Sequence, residues 1–394
     1  MLSVFRRARK SLGQSVLALC ALFFVATLSA CVPTGMSGGP SRGNGGAVQV
    51  ALLIPSGSGQ SQDELFGANL ENAARLAMAD LSGVTIDLRV YKTGGNPAQA
   101  RALALQAVNE GAQVILGPFY SEEANAAGSA VAASGVNVLA FSNNAAIAGG
   151  NVFVLGQTFD NTARRLASQA VRNGKSRVLI VHDRNVAGEV GKAAITRGVA
   201  SAGGSVVGVA SYEFSQNGIV QAAKGIVETA RSSGANALFL TADTAGALPL
   251  LSQLLVDNGI DRASTQFIGL TRWDIPPATL ALPGLQGGWF AMPDPGLQAQ
   301  FQSRYSAAYG TAPAAVAGLA YDGIAAIGAL ARSSNGAPLT RDALTQPAGF
   351  AGVSGIFRLL PNGTNERGLA VAQIRANQVV VIDPAPRSFA GAGF

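Results

Sequence analysis

Short apolar runs alternate with longer amphipathic stretches from residue 48 onward. VQVALLI at 48–54 carries no charge and reads as a strand buried on both faces. At 63–81 the period changes: Leu65, Leu70, Ala73, Ala74, Ala77 and Met78 fall on roughly one face of a helix. A strand is predicted at 84–91. The next helix opens at Asn96-Pro97, a capping residue followed by proline in the first turn, and closes at Gly111. Strands at 113–116, 137–141 and 152–155 flank a helix at 122–133 that Gly135 ends.

The same rhythm then restarts. Helices are predicted at 160–172, 188–202, 219–232 and 245–257, with strands at 177–182, 205–212, 237–240 and 265–269. Repeated β-α-β units force parallel strands with right-handed crossovers. The pattern predicts an α/β protein with two doubly wound parallel-sheet lobes, a hinge and an interlobe cleft. The tail differs: helices at 296–309 and 314–331 precede short strands around turns at Pro361-Asn362-Gly363 and Ala376-Asn377.

Composition agrees with a packed body, for hydrophobic residues make up 48% and charged residues 13% of the 394 positions. The first thirty residues have another layout. Arg6, Arg7, Arg9 and Lys10 precede a short apolar run at 16–27, then Leu28-Ser29-Ala30-Cys31. This is the plan of a signal peptide over 1–30, and its end resembles the lipobox of bacterial lipoproteins. The resemblance implies that Cys31 becomes the mature N-terminus and carries a lipid, anchoring the protein to the membrane. Residues 31–46, rich in Gly, Pro and Ser, read as a flexible tether. Without the leader, 24 basic residues face 22 acidic ones, so the hint of nucleic-acid binding in the basic composition is weak and no nucleic-acid partner is expected. Loss of Cys20 with the leader leaves Cys31 as the only cysteine and excludes an intramolecular disulfide.

Several strand ends offer binding chemistry. Ser121 follows the strand 113–116 and stands where it can cap the next helix and present a hydroxyl, with Glu122 and Glu123 in the first turn as helix stabilisers. Ser142, Asn143 and Asn144 follow the strand 137–141 and offer donors and acceptors together. Asp183 ends the strand 177–182, and Arg272, Trp273 and Asp274 end another, where an indole and a guanidinium on a cleft rim would sandwich a planar or acidic group. Enzyme chemistry finds little footing. His182 is the only histidine, no G-x-S-x-G elbow joins a predicted strand to a helix, no phosphate-binding G-x-x-x-x-G-K loop is present, and neither a metal nor a cofactor is expected.

The segments VQVALLIPSGSG, YKTGGNPAQARALALQAVNEGAQVILGPFYSEE and AFSNNAAIAGGNVFVLG, followed by RVLIVHDRNVAGEVGKAAI and AAVAGLAYDGIAAIGAL, together resemble the type 1 periplasmic-binding fold of leucine-type amino-acid receptors. The resemblance covers 48–383. It implies lobe one at 47–156 plus 293–346, lobe two at 157–292 plus 347–385, and a ligand cleft that includes Ser121. Within this group YKTGGNPAQARALALQAVNEGAQVILGPFYSEE is closer to the penicillin-binding-protein activators, regulators of peptidoglycan synthesis. The expected role is that of an activator that contacts a penicillin-binding protein; the alternative is the binding component of an ABC importer that serves a permease with an amino acid or similar polar metabolite. The chain departs from amino-acid receptors in having Ala187 where an aromatic is common. Either role implies a periplasmic location, and Val32 after Cys31 points to the outer membrane.

Overall fold

The structure, a computed structural model, describes residues 46–333 and 339–390. The predicted signal peptide, Cys31 and all of the tether but Gly46 lie outside the described residues. The first sheet contains β1 (Val48–Ile54), β2 (Ile86–Lys92), β3 (Val114–Leu116), β4 (Asn137–Ala140) and β5 (Val152–Val154). Its order is β2-β1-β3-β4-β5 and every neighbouring pair is parallel. Helices α1 (Ser61–Asp80), α2 (Pro97–Asn109) and α3 (Ser121–Val131) connect these strands.

Both faces of this sheet are covered. Val50, Leu52 and Ile54 enter one apolar cluster with α1, while Ala51 and Leu53 enter another with α2 and α3. That is why β1 is apolar at successive positions rather than at alternate ones. The Asn96 side chain accepts from the amides of Ala98 and Gln99, so the cap expected at α2 is formed.

The second sheet begins with β6 (Arg177–Asp183), β7 (Ser205–Tyr212), β8 (Ala237–Leu240), β9 (Gln266–Gly269) and β10 (Trp289–Met292). Helices α4 (Phe159–Arg172), α5 (Val186–Ser201), α6 (Gln216–Ser233) and α7 (Leu248–Asp257) cover it. The chain returns through α8 (Pro295–Tyr309), α9 (Ala317–Ser333) and the short α10 (Arg341–Leu344) to a three-stranded antiparallel sheet of β11 (Phe350–Gly352), β12 (Gly355–Leu359) and β13 (Asn365–Arg367). It ends in the hairpin β14 (Ala370–Arg375) and β15 (Gln378–Asp383), whose turn holds Ala376 and Asn377 at φ +49° and +62°. The hairpin extends the second sheet, in which β14 runs antiparallel to β10, and the full order is β15-β14-β10-β9-β8-β6-β7.

Two elements differ from the expectation. Trp289–Met292 is an inner strand of the second sheet that the sequence pattern did not single out. The resemblance implies that residues 347–385 belong to lobe two. Phe350, Phe357 and Leu359 instead belong to the apolar cluster of α1, α8 and α9, and only from Leu369 does the chain join the second lobe's cores. These three side chains bury their apolar surface where α9 is within reach, and β14 is the first later strand to find a place in the second sheet.

Gly117, which leads out of β3, has φ +92° and a Cβ there would sit 2.2 Å from the Leu53 carbonyl oxygen. Close approach of two strand ends therefore requires glycine. Gly135, at φ +69°, has open space around its missing Cβ. Gly135→Ala is expected to cost about 1–2 kcal/mol, the left-handed penalty alone, and Gly117→Ala distinctly more. Urea unfolding of both variants checks this; equal losses would mean that the β1–β3 approach is not tight.

Candidate functional site

The carboxyl ends of β3, β4 and β5 open onto one concavity of about 450 Å³. Phe119, Tyr120 and Ser121 come from the β3 exit, Phe141 to Asn144 from the β4 exit, and Gly156 and Gln157 from the β5 exit. Ala315, Val316 and Leu319 at the start of α9 form an apolar side, while Pro293, Ser354, Arg367 and Leu369 close it along the connections between the sheets. Strand ends of a parallel sheet point the first turns of their helices, and hence free amides, at such a space.

The β3 exit is held from behind. Phe119 packs against Phe66 with ring centres 5.2 Å apart and meets Tyr120 edge to face at 5.0 Å. The Tyr120 hydroxyl donates to the Asp63 carboxylate at 2.5 Å, which pushes the phenol up to about 12. Ser121 is the first residue of α3 and Tyr120 occupies the cap position, so the expected cap role of Ser121 is corrected. The Tyr120 amide donates to the Glu123 carboxylate at 3.4 Å, which frees the Ser121 hydroxyl from capping. Glu122 is exposed, but Glu123 is fully buried and one of its carboxylate oxygens has no hydrogen-bond partner. Burial pushes its pKa up, against bonds from Thr93 and the Tyr120 amide that lower it, with the nearby Asp63 charge adding to the rise.

At the β4 exit the buried Ser142 hydroxyl accepts from the Asn144 amide at 3.1 Å, and the Asn144 side chain accepts from the Ala146 amide at 3.0 Å. Asn143 is exposed at the mouth. Gly156 is pressed against this loop, since a Cβ there would lie 2.5 Å from the Ser142 carbonyl oxygen. Gln157 donates to the Thr162 hydroxyl at 2.9 Å and so fixes the start of α4.

Among the described residues, Arg367 is the one cationic side chain on the cavity wall. Its Nε donates to the Leu155 carbonyl at 2.9 Å and its Nη1 to Asp322 at 3.1 Å, and its guanidinium stands 5.1 Å over the Phe357 ring. Asp322 is wholly buried; burial pushes its carboxyl up and Arg367 pulls it back. Val353 supplies a backbone donor to the same carboxylate at 2.8 Å.

The structure thus brings Ser121, Ser142, Asn143 and Asn144 together, and leaves the other four expected residues elsewhere. Trp273 is not on a rim. It is buried at 0% exposure in the second lobe's core, because Gly269 and Gly288 leave room for its ring. Arg272 is bound to Asp274 at 2.8 Å, and neither lines the cavity. Asp183 is buried and occupied by the Thr241 hydroxyl at 2.6 Å and by the Asn185 side chain. Its role is to tie β6 to the loop after β8 and to the cap of α5. Gln157 could have been found by the strand-end rule that found Ser142. Arg367 carried no such signal, since it lies more than 200 residues from Leu155 in the chain.

A family profile described as periplasmic binding protein matches residues 47–378. A search of curated proteins found no match. Among solved structures, the chain is similar to a putative branched-chain amino acid ABC transporter protein from Rhodospirillum rubrum, with 21% identity, a TM-score of 0.71, and coverage of 85% of this chain and 100% of that one. An ABC transporter substrate-binding protein from Desulfitobacterium hafniense aligns with a TM-score of 0.66 at 17% identity, covering 86% and 100% of the two chains. A branched chain amino acid ABC transporter periplasmic ligand-binding protein from Burkholderia xenovorans aligns with a TM-score of 0.65 at 17% identity, covering 88% and 97%. At these identities the likeness is one of fold.

The raised pKa of Glu123 has a consequence for stability. A carboxyl whose folded value lies above its unfolded one contributes stability that is complete below the unfolded value and lost as pH rises through the folded value. Glu123→Gln removes this loss. Its melting temperature relative to the natural chain is expected to rise between about pH 4 and pH 7. Thermal melts across that range check it, and a difference that does not vary with pH would sink the assignment.

Proposed function

Since the chain belongs to the periplasmic binding protein family, we propose that it is the solute-binding component of an ABC importer, presenting a small ligand to a permease. The observation that carries this is the cavity of about 450 Å³, on which three strand-end loops of one sheet converge beside the connections to the second sheet. Its size falls within the range of small-molecule sites, and its wall mixes aromatic and aliphatic faces with a few polar groups, as such sites do. Ser121, Ser142, Asn143 and Asn144 are the proposed polar contacts. The second lobe would close over the ligand by bending at the connecting segments.

The family places the body in the periplasm. The lipobox-like sequence ending at Cys31 supports attachment to a membrane through a lipid on that cysteine, the outer membrane being favoured by Val32. A second reading, regulation of peptidoglycan synthesis through a penicillin-binding protein, is supported by the turn Tyr91-Lys92-Thr93-Gly94-Gly95. An importer of this group would be expected to carry an aspartate-rich turn there.

Thermal shift against a panel of small metabolites tests the importer reading. A ligand at 100 times its Kd stabilises by about 2.7 kcal/mol. Ser121→Ala and Ser142→Ala are each expected to weaken binding of the identified ligand by about 5–30-fold, the equivalent of a lost hydrogen bond worth about 1–2 kcal/mol, while leaving the ligand-free melt within a few degrees. No shift with any metabolite, together with pulldown of a penicillin-binding protein, would favour the second reading. A loss of stability without a loss of affinity would make the two serines structural.

A further inference from the structure

The charge of the cavity wall narrows the ligand class, on the premise that the cavity is the binding site. Its lining contains no Asp or Glu among the described residues, and one cation, Arg367. That guanidinium is held by Leu155 and Asp322 through one N–H each from Nε, Nη1 and Nη2. A guanidinium has five N–H groups, so two have no partner among the described residues and can serve a ligand or water. Asp322, which balances the charge, is fully buried and does not reach the cavity. What the space meets is therefore the positive side of the pair. The Ser121 and Ser142 hydroxyls and the first-turn amides of α3 add donors.

An ammonium group would find no carboxylate here. The acids at the ends of the second sheet are committed elsewhere: Asp183 to Thr241 and Asn185, Glu213 to Arg184, Asp274 to Arg272, and Glu189 to Lys192. Asp243 is exposed on the loop after β8 and lies outside the cavity. A cation desolvated beside Arg367 without a counter-charge is strongly disfavoured. The rest of the wall is apolar, with Phe119, Phe141, Val316 and Leu319 offering faces for a ring or a branched chain.

We propose that the cavity takes a small monocarboxylate with an apolar body and no ammonium group, rather than a zwitterionic amino acid. Four probes that share a phenyl-three-carbon skeleton separate the charges: 3-phenylpropanoate, L-phenylalanine, 3-phenylpropylamine and 3-phenylpropan-1-ol. Isothermal titration of the full chain is expected to give 3-phenylpropanoate a Kd at least tenfold below that of the other three. Asn143→Asp, which sets a carboxylate at the mouth, should weaken 3-phenylpropanoate by tenfold or more, and Asn143→Ala should weaken it far less. L-phenylalanine binding as tightly as 3-phenylpropanoate, above all if Asp243→Asn removes that affinity, overturns the charge assignment and leaves the solute-binding reading standing. Absence of binding by all four, and by a panel of other monocarboxylates and amino acids, overturns both.

Discussion

The buried pair of Arg367 and Asp322 is the interaction on which the rest of the arrangement depends. Arg367 lies on β13, reaches the Leu155 carbonyl at the exit of β5, and meets Asp322 on α9. It joins the first connection between the sheets to the last. Asn365 on the same strand donates to the carbonyls of Val154 and Gly156 and accepts, through its own carbonyl, from Asn161 on α4. The second connection is tied in by the Asp294 amide on the Ser354 carbonyl at 3.0 Å. Removing one partner of such a pair strands a desolvated charge, which costs far more than the pair contributes while intact. The same guanidinium is the cation of the cavity wall, so the anchor of the connections and the polarity of the site are one group.

Around that anchor, the cavity is lined from the first lobe and the connections between the sheets. The first sheet's exits carry the hydroxyls, amides and aromatic faces, whereas Asp183, Asp274 and the Trp273 indole at the second sheet's exits are engaged within their own lobe. Such a division would suit the proposed two-lobed binder, in which one lobe holds a ligand and the other closes over it. Glu123 and Asp63, behind the Tyr120 loop, extend the picture. Two carboxylates secure the aromatic wall from the side away from the cavity, and negative charge is kept out of the cavity itself.

Much of the architecture was legible in the chain. The β-α-β rhythm predicted both lobes, β1 and β7 were placed to the residue, and the Asn96-Pro97 start of α2 was read from capping chemistry. Ser121 and Ser142 to Asn144 line one cavity because strand-end loops of a parallel sheet converge as a rule of topology. Arg272, Trp273, Asp274 and Asp183 were drawn from the same rule and went elsewhere. Strand-end position says where a residue starts. Packing decides whether its side chain reaches the cleft.

By itself, then, the sequence determined the periodicity of burial, hence the element types and the parallel strands of both sheets, because those follow from local sterics and from which positions must leave water. Tertiary structure alone decided that Phe350, Phe357 and Leu359 join the first core, that Trp273 sinks between two glycines, and that Arg367 stands beside Leu155 across more than 200 residues. These are outcomes of long-range packing and of pairing a buried charge. No local pattern encodes them, since the partner of each residue is chosen in space and not along the chain.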